Sequence, residues 1–225
     1  MKYKFQDTIT IRVGDTALCG ELVLPQKVES LVLFSHGSGS SRFSPRNNFV
    51  ARILNEHGIG TFLLDLLTRE EDEIYTNRFN IDLLTERLIL ATKYLSTFEH
   101  SKNLDFGYFG ASTGAASAIK AAVALPEIIH SVVSRGGRPD LAMNDAPKLK
   151  AATLFIVGEL DYEVIEMNRE VYQILKCEKE FAIVPGATHL FEEPGTLKQA
   201  AELAMNWFKN HLAEIKTKTK KITVK

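Results

Sequence analysis

The residues best suited to chemistry lie in the segment GASTG at residues 110–114, which has the spacing G-x-S-x-G around Ser112. In this pattern a strand turns sharply into a helix, and the turn presents the serine hydroxyl to a cleft. Gly110 and Gly114 fit because side chains at those positions would collide with the strand or the helix. The apolar run 106–109 precedes the segment and small residues follow it, so the context favours a nucleophile over a tight turn with a capping serine.

His189 is the histidine best placed to serve as the base for such a serine. A serine hydroxyl is a weak nucleophile unless a neighbouring base takes its proton. His189 follows the predicted strand 181–184 through a short loop, and catalytic groups gather at the carboxyl ends of strands in open α/β sheets. Other histidines fall in turns or at helix ends, as His57 does before Gly58, and structural or solvated roles are expected there.

Asp161 is predicted to be the acid that orients the His189 ring. It follows the predicted strand 153–157 and precedes a helix, which is the usual position of this acid. Glu159 and Glu163 are rivals in the same loop, and Asp161 could instead cap the helix. With Asp161 as the acid, the order along the chain is serine, aspartate, histidine.

A glycine-rich loop, HGSGSS at residues 36–41, follows the predicted strand 30–35. Such a loop invites a nucleotide-binding interpretation, but two features exclude the usual motifs. There is no Gly-Lys-Ser/Thr ending, and Gly37-x-Gly39 is not completed by a third glycine.

The same loop suits an oxyanion hole. The backbone N–H groups of Ser38 and Thr113 would stabilise negative charge that develops only in the transition state. His36 is expected to shape the loop, because a serine, histidine and acid mechanism needs only one histidine.

The elements that would carry these residues follow from hydrophobic patterning. Alternating segments 8–13 and 17–24 around Gly14-Asp15 predict an antiparallel hairpin at a sheet edge. Short apolar runs predict buried strands. These runs cover residues 30–35, 61–64, 106–109, 131–134, 153–157 and 181–184. Helical patterns cover residues 47–57, 79–98, 113–124, 164–175 and 196–212. Strands that alternate with helices predict an α/β fold with a mostly parallel sheet covered on both faces.

Domain organisation is predicted to be simple. Residues 1–213 form one α/β domain, and no interdomain linker or internal repeat is present. The basic segment 214–225 is expected to be a frayed tail, with a nucleic-acid or membrane arm as the alternative.

Composition excludes several functional classes. The 225 residues are 45% apolar and 24% charged with a net charge of -1, so no global attraction to nucleic acid or to an anionic membrane is expected. No apolar stretch is long enough to span a membrane and the N-terminus lacks a signal-peptide core, so we expect a cytoplasmic location. Cys19 and Cys177 have no metal or redox spacing. We predict no cofactor, no metal and no nucleic-acid or membrane partner.

With these motifs the chain resembles the dienelactone hydrolase family of the α/β-hydrolase superfamily. The residues that carry the resemblance are HGSGSS at 36–41, GYFGASTGAA at 107–116, GELD at 158–161 and PGATHLF at 185–191. The resemblance extends from about residue 31 to residue 208. It implies an α/β-hydrolase fold with about eight strands and the hydrolysis of carboxylic esters. Dienelactone hydrolases proper use a cysteine nucleophile, whereas this chain has Ser112.

Two further features bear on the resemblance. The segment SRGGRPDL at 134–141 is similar to a branch in which the hydrolase is sometimes fused to a phosphoribosyltransferase domain, and no such domain is expected within these 225 residues. The segment 135–152 is too short for a lid of several helices, so we expect a fairly open site.

The resemblance and the motifs together predict an esterase that acts on a small-molecule ester through an acyl-enzyme, as a monomer or a homodimer. Thioester hydrolysis by the same residues is the alternative enzyme, and a non-catalytic binding protein on the same fold is the alternative without catalysis.

Substrate charge gives one further expectation. Dienelactone hydrolases act on an anionic substrate, and guanidinium groups bind carboxylates in a bidentate fork. Arg42, after the glycine-rich loop, and Arg138, after a predicted strand with Arg135, are therefore possible substrate-binding residues. These arginines could instead brace loops or pair with Asp140 or with the acidic loop 68–77, which could itself be a wall of the site or a solvated loop.

Overall fold

The structure is a computed structural model that describes residues 2–212. Within that range the chain forms one eight-stranded sheet flanked by helices. The strands are β1 (Tyr3–Val13), β2 (Thr16–Pro25), β3 (Ser30–Ser35), β4 (Ile59–Leu64), β5 (Asp105–Ala111), β6 (Ile129–Arg135), β7 (Ala152–Gly158) and β8 (Lys179–Val184). The helices are α1 (Pro45–Glu56), α2 (Arg69–Glu73), α3 (Ile81–Thr97), α4 (Gly114–Ala124), α5 (Tyr162–Ile174) and α6 (Thr196–Leu212).

The order of strands across the sheet is β1-β2-β4-β3-β5-β6-β7-β8. β1 pairs antiparallel with β2, and β2 pairs antiparallel with β4, while the pairs from β4 to β8 are parallel. The edge hairpin and the mostly parallel sheet are therefore confirmed. The carboxyl ends of β3, β5, β6, β7 and β8 meet at one edge, where the loops that carry the predicted site residues begin.

The continuous apolar runs arise because both faces of the sheet are covered. Along β3, Leu31 and Leu33 pack into one core with α3 and α4, whereas Val32 and Phe34 pack into the other with α1 and α6. Successive side chains of a strand point to opposite faces, so a strand between two helical layers must be apolar at nearly every position.

The acidic segment 68–77, which was expected to be a loop, contains the short helix α2 and part of a 3₁₀ turn at Tyr75–Phe79. Thr68 caps α2 by accepting a hydrogen bond from the N–H of Glu71, and the Glu71 carboxylate accepts one from the N–H of Thr68. Five residues are too few for a visible helical period. The capping pair, Thr followed three residues later by Glu, was the available signal.

The connection from β6 to β7 is short, as expected. Within the described residues it holds two 3₁₀ turns, Pro139–Ala142 and Ala146–Lys148, and no α-helical lid. The predicted tail 214–225 lies outside the described residues. None of the helices in residues 2–212 combines the length and the apolar character needed to cross a membrane.

Candidate active site

Ser112 lies at the sharp turn between β5 and α4, with a backbone φ of +52°. A non-glycine residue in the left-handed region is strained, and such strain persists where the surrounding structure enforces it. The flanking glycines show what enforces it. A Cβ on Gly110 would lie 2.5 Å from Ala115 Cα, and one on Gly114 would lie 2.1 Å from the Ser35 carbonyl oxygen. The turn has the geometry expected of a nucleophile elbow.

His189 and Asp161 form a close pair. The His189 Nδ1 and the Asp161 Oδ2 are 2.7 Å apart, and the Asp161 side chain is only 13% exposed. Asp161 occupies the N-cap position of α5, but its side chain makes no capping hydrogen bond. The Glu159 carboxylate instead accepts a hydrogen bond from the N–H of Gly186. Of the three acids in this loop, the structure brings Asp161 to the imidazole.

Ser112 and His189 line the same cavity, which has a volume of about 190 Å³. Its lining is mostly polar and small. The lining residues are Gly37, Ser38, Ser40, Ser44, Arg46, Asn47, Ala111, Ser112, Arg135, Gly136, His189 and Leu190. Within the described residues no hydrogen bond joins the Ser112 hydroxyl to the His189 ring. Such bonds are often long in ligand-free sites and tighten when substrate is bound.

The two predicted oxyanion donors are neighbours in the structure. The N–H of Ser38 donates a hydrogen bond of 2.9 Å to the Thr113 Oγ1. The N–H of Thr113 meets no acceptor within residues 2–212. Gly37 allows this approach, because a Cβ there would lie 2.9 Å from the Ser112 Cβ. The Ser38 N–H becomes available to a ligand only when the Thr113 hydroxyl no longer accepts this hydrogen bond.

His36 braces the loop rather than lining the cavity. Its buried ring accepts a hydrogen bond at Nε2 from the N–H of Leu66, and its Nδ1 lies 3.0 Å from the Gly37 carbonyl oxygen. This pattern fits a neutral ring with the proton on Nδ1. The ring thus connects the loop after β3 to the chain after β4, in agreement with the predicted loop-shaping role.

Burial lowers the pKa of His36 below its ordinary value of 6.5. The unfolded chain therefore binds more protons than the folded chain as the pH falls below about 6.5. The stability that the neutral ring contributes is fully present above that pH and is lost as the pH falls toward the folded pKa.

We therefore expect the stability advantage of the wild type over His36→Gln to shrink as the pH is lowered from about 7.5 to about 5.5, by at most about 1.4 kcal/mol per pH unit. Urea unfolding of both proteins at each pH measures this difference. All other ionisable groups are the same in the two proteins, so the difference between them isolates the contribution of residue 36. Equal losses of stability in the two proteins would contradict the assignment of a buried, neutral ring to His36.

Neither of the arginines predicted to bind substrate belongs to the cavity lining found within residues 2–212. Arg42 forms an ion pair with Asp65, and the Arg138 guanidinium donates two hydrogen bonds, of 2.9 Å and 2.8 Å, to the Asp140 carboxylate. The second pair matches the alternative in which Arg138 pairs with Asp140. The structure thus gives both guanidinium groups structural partners.

The lining also contains residues that were not predicted as site residues, among them Arg135, Arg46 and Asn47. Arg135 is the last residue of β6 and pairs in register with Ala111 of β5, beside the nucleophile. Its place at the carboxyl end of a strand was a usable signal. Arg46 and Asn47 lie in the first turn of α1, where the sequence shows only an ordinary helix start.

Comparison with known proteins agrees with this architecture. The family model described as the dienelactone hydrolase family matches residues 27–216. The crystal structure of a dienelactone hydrolase from Anabaena variabilis is 48% identical, covers 92% of this chain and 98% of its own, and has a TM-score of 0.90. Est1E from Butyrivibrio proteoclasticus, at 15% identity, covers 90% of this chain and 98% of its own with a TM-score of 0.79, which shows the shared fold.

Two Mycobacterium tuberculosis proteins, one from each of two strains, are 47% identical over 206 residues and carry the provisional name phosphoribosyl transferase. The match covers 92% of this chain and 46% of theirs, so the chain spans about half the length of these curated relatives. The family model and the Anabaena structure cover nearly the whole described fold. The chain belongs to the dienelactone hydrolase family and has an α/β-hydrolase fold.

Proposed function

We propose that this protein hydrolyses small carboxylic esters through an acyl-enzyme, with Ser112 as the nucleophile, His189 as the base and Asp161 as the orienting acid. One observation carries the proposal. A serine held at a φ of +52° faces the same cavity as a histidine whose Nδ1 lies 2.7 Å from a mostly buried carboxylate. A serine becomes an effective nucleophile when a base is adjacent and a third group orients that base.

The reaction has two balanced halves. In the first, the Ser112 Oγ attacks the ester carbonyl carbon while its proton passes to the His189 Nε2. The tetrahedral intermediate then collapses, the alcohol leaves with that proton, and the acyl group remains on Ser112. In the second half, water attacks the acyl carbon as His189 takes a proton from it. The acid is then released and the proton returns to the serine.

Charge on the carbonyl oxygen would be stabilised by the loop after β3 and the start of α4. The N–H of Thr113 is free within the described residues, and it follows the nucleophile directly. The N–H of Ser38 is the second donor once the Thr113 hydroxyl rotates away from it. Donors that are fixed before the reaction stabilise the transition state more than the substrate, which lowers the barrier.

The substrate class follows from the size of the cavity. About 190 Å³ is below the range of roughly 300–1,000 Å³ that is usual for drug-sized ligands. The site therefore suits a short acyl group whose leaving alcohol extends into solvent.

An active-site-directed fluorophosphonate tests the proposal and separates a catalyst from a binding protein. The serine of a working site attacks phosphorus and becomes covalently labelled. We expect stoichiometric labelling, with the adduct on the peptide that contains Ser112 by mass spectrometry. Ser40→Ala, which changes another serine of the cavity lining, is the matched control and should still be labelled. No adduct, or an adduct on Ser40, would refute the proposed nucleophile.

The acid can be tested by amide substitutions in a single loop. Asp161→Asn should lower kcat for a 4-nitrophenyl ester by roughly 10³- to 10⁴-fold, because the amide no longer stabilises the imidazolium or the correct tautomer. Glu159→Gln is the matched control. Its amide oxygen can still accept from the N–H of Gly186, so kcat should change little. A larger loss in Glu159→Gln than in Asp161→Asn would mean that the acid is misassigned.

A further inference from the structure

The segment 136–138, GGR, follows β6 and contacts two of the three residues of the proposed mechanism. The N–H of Arg138 donates a hydrogen bond of 2.9 Å to the carbonyl oxygen of Ser112. Gly136, with a φ of +50°, packs against His189. A Cβ at this glycine would lie 3.6 Å from the Cε1 and Nδ1 atoms of the ring and 3.3 Å from the carbonyl oxygen of the same histidine. The segment therefore lies between the proposed nucleophile and the proposed base.

The middle residue of this segment has little room to move. A Cβ on Gly137 would lie 2.0 Å from the Ser134 Oγ and 2.6 Å from the Ala115 Cβ. Peptide units are planar and stiff, so a shift of Gly137 would move Gly136 and Arg138 with it. The position of Gly137 thus affects the contacts that its two neighbours make.

A buried asparagine of α5, Asn168, binds this middle residue. It is 0% exposed, and its Nδ2 donates hydrogen bonds of 2.8 Å to the Gly137 carbonyl oxygen and 2.7 Å to the Val164 carbonyl oxygen. Both hydrogens of the amide are then used, one on the segment and one within the helix. The helix begins directly after Asp161, so the orienting acid and the residue that binds the segment belong to one rigid element.

The amide of Asn168 lowers the stability of the fold at its other atom. Its Oδ1 is buried and has no hydrogen-bond partner within residues 2–212. A buried acceptor that has lost its hydration without compensation is unfavourable, and an apolar side chain would avoid this loss. Turning the amide over would place Oδ1 against two carbonyl oxygens, so the observed orientation is the favourable one. A contact kept under these conditions points to a role in function rather than in stability.

We propose that Asn168 is a positioning residue that, by binding Gly137, sets the geometry between Ser112 and His189. The role rests on the proposed ester hydrolysis by that serine and histidine. Proton transfer between them depends steeply on geometry, and a misplacement of about 1 Å can cost roughly 100-fold in rate. The ring needs support because the His189 side chain is 40% exposed. Asp161 orients the ring through Nδ1, whereas the segment fixes the serine relative to the ring.

The first test compares two buried asparagines. Asn168→Ala should lower kcat and kcat/KM for 4-nitrophenyl acetate by the same factor, roughly 10- to 100-fold, because the lost contact acts on the transition state. Asn55→Ala is the matched control. Asn55 is also a buried helical asparagine, and its Nδ2 donates to the Ile59 carbonyl oxygen and the Thr61 hydroxyl. This control should lose a comparable amount of stability in urea unfolding and keep its kcat.

A second variant separates activity from stability at the same position. Asn168→Leu keeps the number of side-chain heavy atoms but removes both the hydrogen bond to Gly137 and the unpaired Oδ1. Its stability should therefore change less than that of Asn168→Ala, while its kcat should fall by a similar factor. A purely structural asparagine would not lose activity without a matching loss of stability.

The second test measures the position of the ring without catalysis. Ring resonances of His189 and the amide resonance of Gly136 are recorded by ¹H–¹⁵N NMR for wild type, both Asn168 variants and Asn55→Ala. We expect these resonances to shift in the Asn168 variants and to remain as in wild type in Asn55→Ala, since the control contact lies at the opposite end of α1 from the cavity lining.

The outcomes separate this role from the proposed hydrolysis. Unchanged kcat in Asn168→Leu, an equal loss of kcat in the Asn168 and Asn55 variants, or a rise in KM alone overturns the positioning role. Unmoved His189 resonances in both Asn168 variants overturn it whatever the enzyme hydrolyses. Failure of the fluorophosphonate to label Ser112 would refute ester hydrolysis, and shifts of the His189 ring confined to the Asn168 variants would then still support Asn168 as the residue that positions the ring.

Discussion

Replacing Ser112 with alanine should lower kcat for ester hydrolysis by on the order of 10⁴- to 10⁶-fold while the protein remains folded. The substitution removes the atom that forms the covalent bond to the acyl group in the proposed mechanism, and alanine adds no bulk in a turn enclosed by Ser35, Ala115 and Gly37. Steady-state kinetics with a 4-nitrophenyl ester measures the loss. Circular dichroism and urea unfolding show whether the fold survives.

Ser112→Gly is an informative companion to the alanine variant. Glycine adopts the observed φ of +52° without steric cost, so this variant should be more stable than Ser112→Ala by about 1 kcal/mol and equally inactive. If both variants are inactive although the glycine variant is more stable than the alanine variant, the inactivity comes from loss of the nucleophile and not from damage to the fold. Retention of most of the activity in either variant would contradict the assignment of Ser112.

Replacing His189 with alanine should be about as damaging as replacing Ser112, because in the proposed mechanism the two residues transfer one proton as a unit. For the same reason the double variant Ser112→Ala/His189→Ala should be little worse than either single variant. The measurement is kcat for all three proteins under identical conditions. His57→Ala is the matched control, since that exposed histidine lies at the C-terminal end of α1, whereas Arg46 and Asn47 of the cavity lining lie at its N-terminal end.

A second result would contradict the proposal that Ser112 and His189 act as a unit. If the losses in the two single variants multiplied in the double variant, Ser112 and His189 would be acting independently.

Local rules could predict most of the fold and the sharp turn that carries Ser112. The parallel strands are buried on both faces, so each is marked by its own apolar residues, and the elbow is marked by glycines that backbone contacts require. Asp161 could be ranked above Glu159 from its position before α5. The contact that decides between them joins residues 28 positions apart, so only the folded chain shows it.

The arginines show where local reasoning fails. Arg135 and Arg138 are three residues apart and have the same chemistry in the sequence. Arg138 forms an ion pair with Asp140, two residues later, whereas Arg42 forms one with Asp65, which is distant in the sequence. Arg135 finds no carboxylate in the described part of the chain. The functional difference between these guanidinium groups depends on which partners the tertiary structure supplies, and a linear pattern does not encode those partners.

The short connection between β6 and β7 has a consequence for kinetics. Enzymes that are covered by a mobile lid often become active only when an oil–water interface opens the lid. Within residues 2–212 the connection from β6 to β7 contains no α-helix that would have to move. Its rate should therefore rise smoothly with the concentration of monomeric substrate and show no jump when that substrate forms micelles. The acyl group on Ser112 would also remain in contact with bulk water. Added alcohols would therefore compete with water for the acyl-enzyme only in proportion to their concentration.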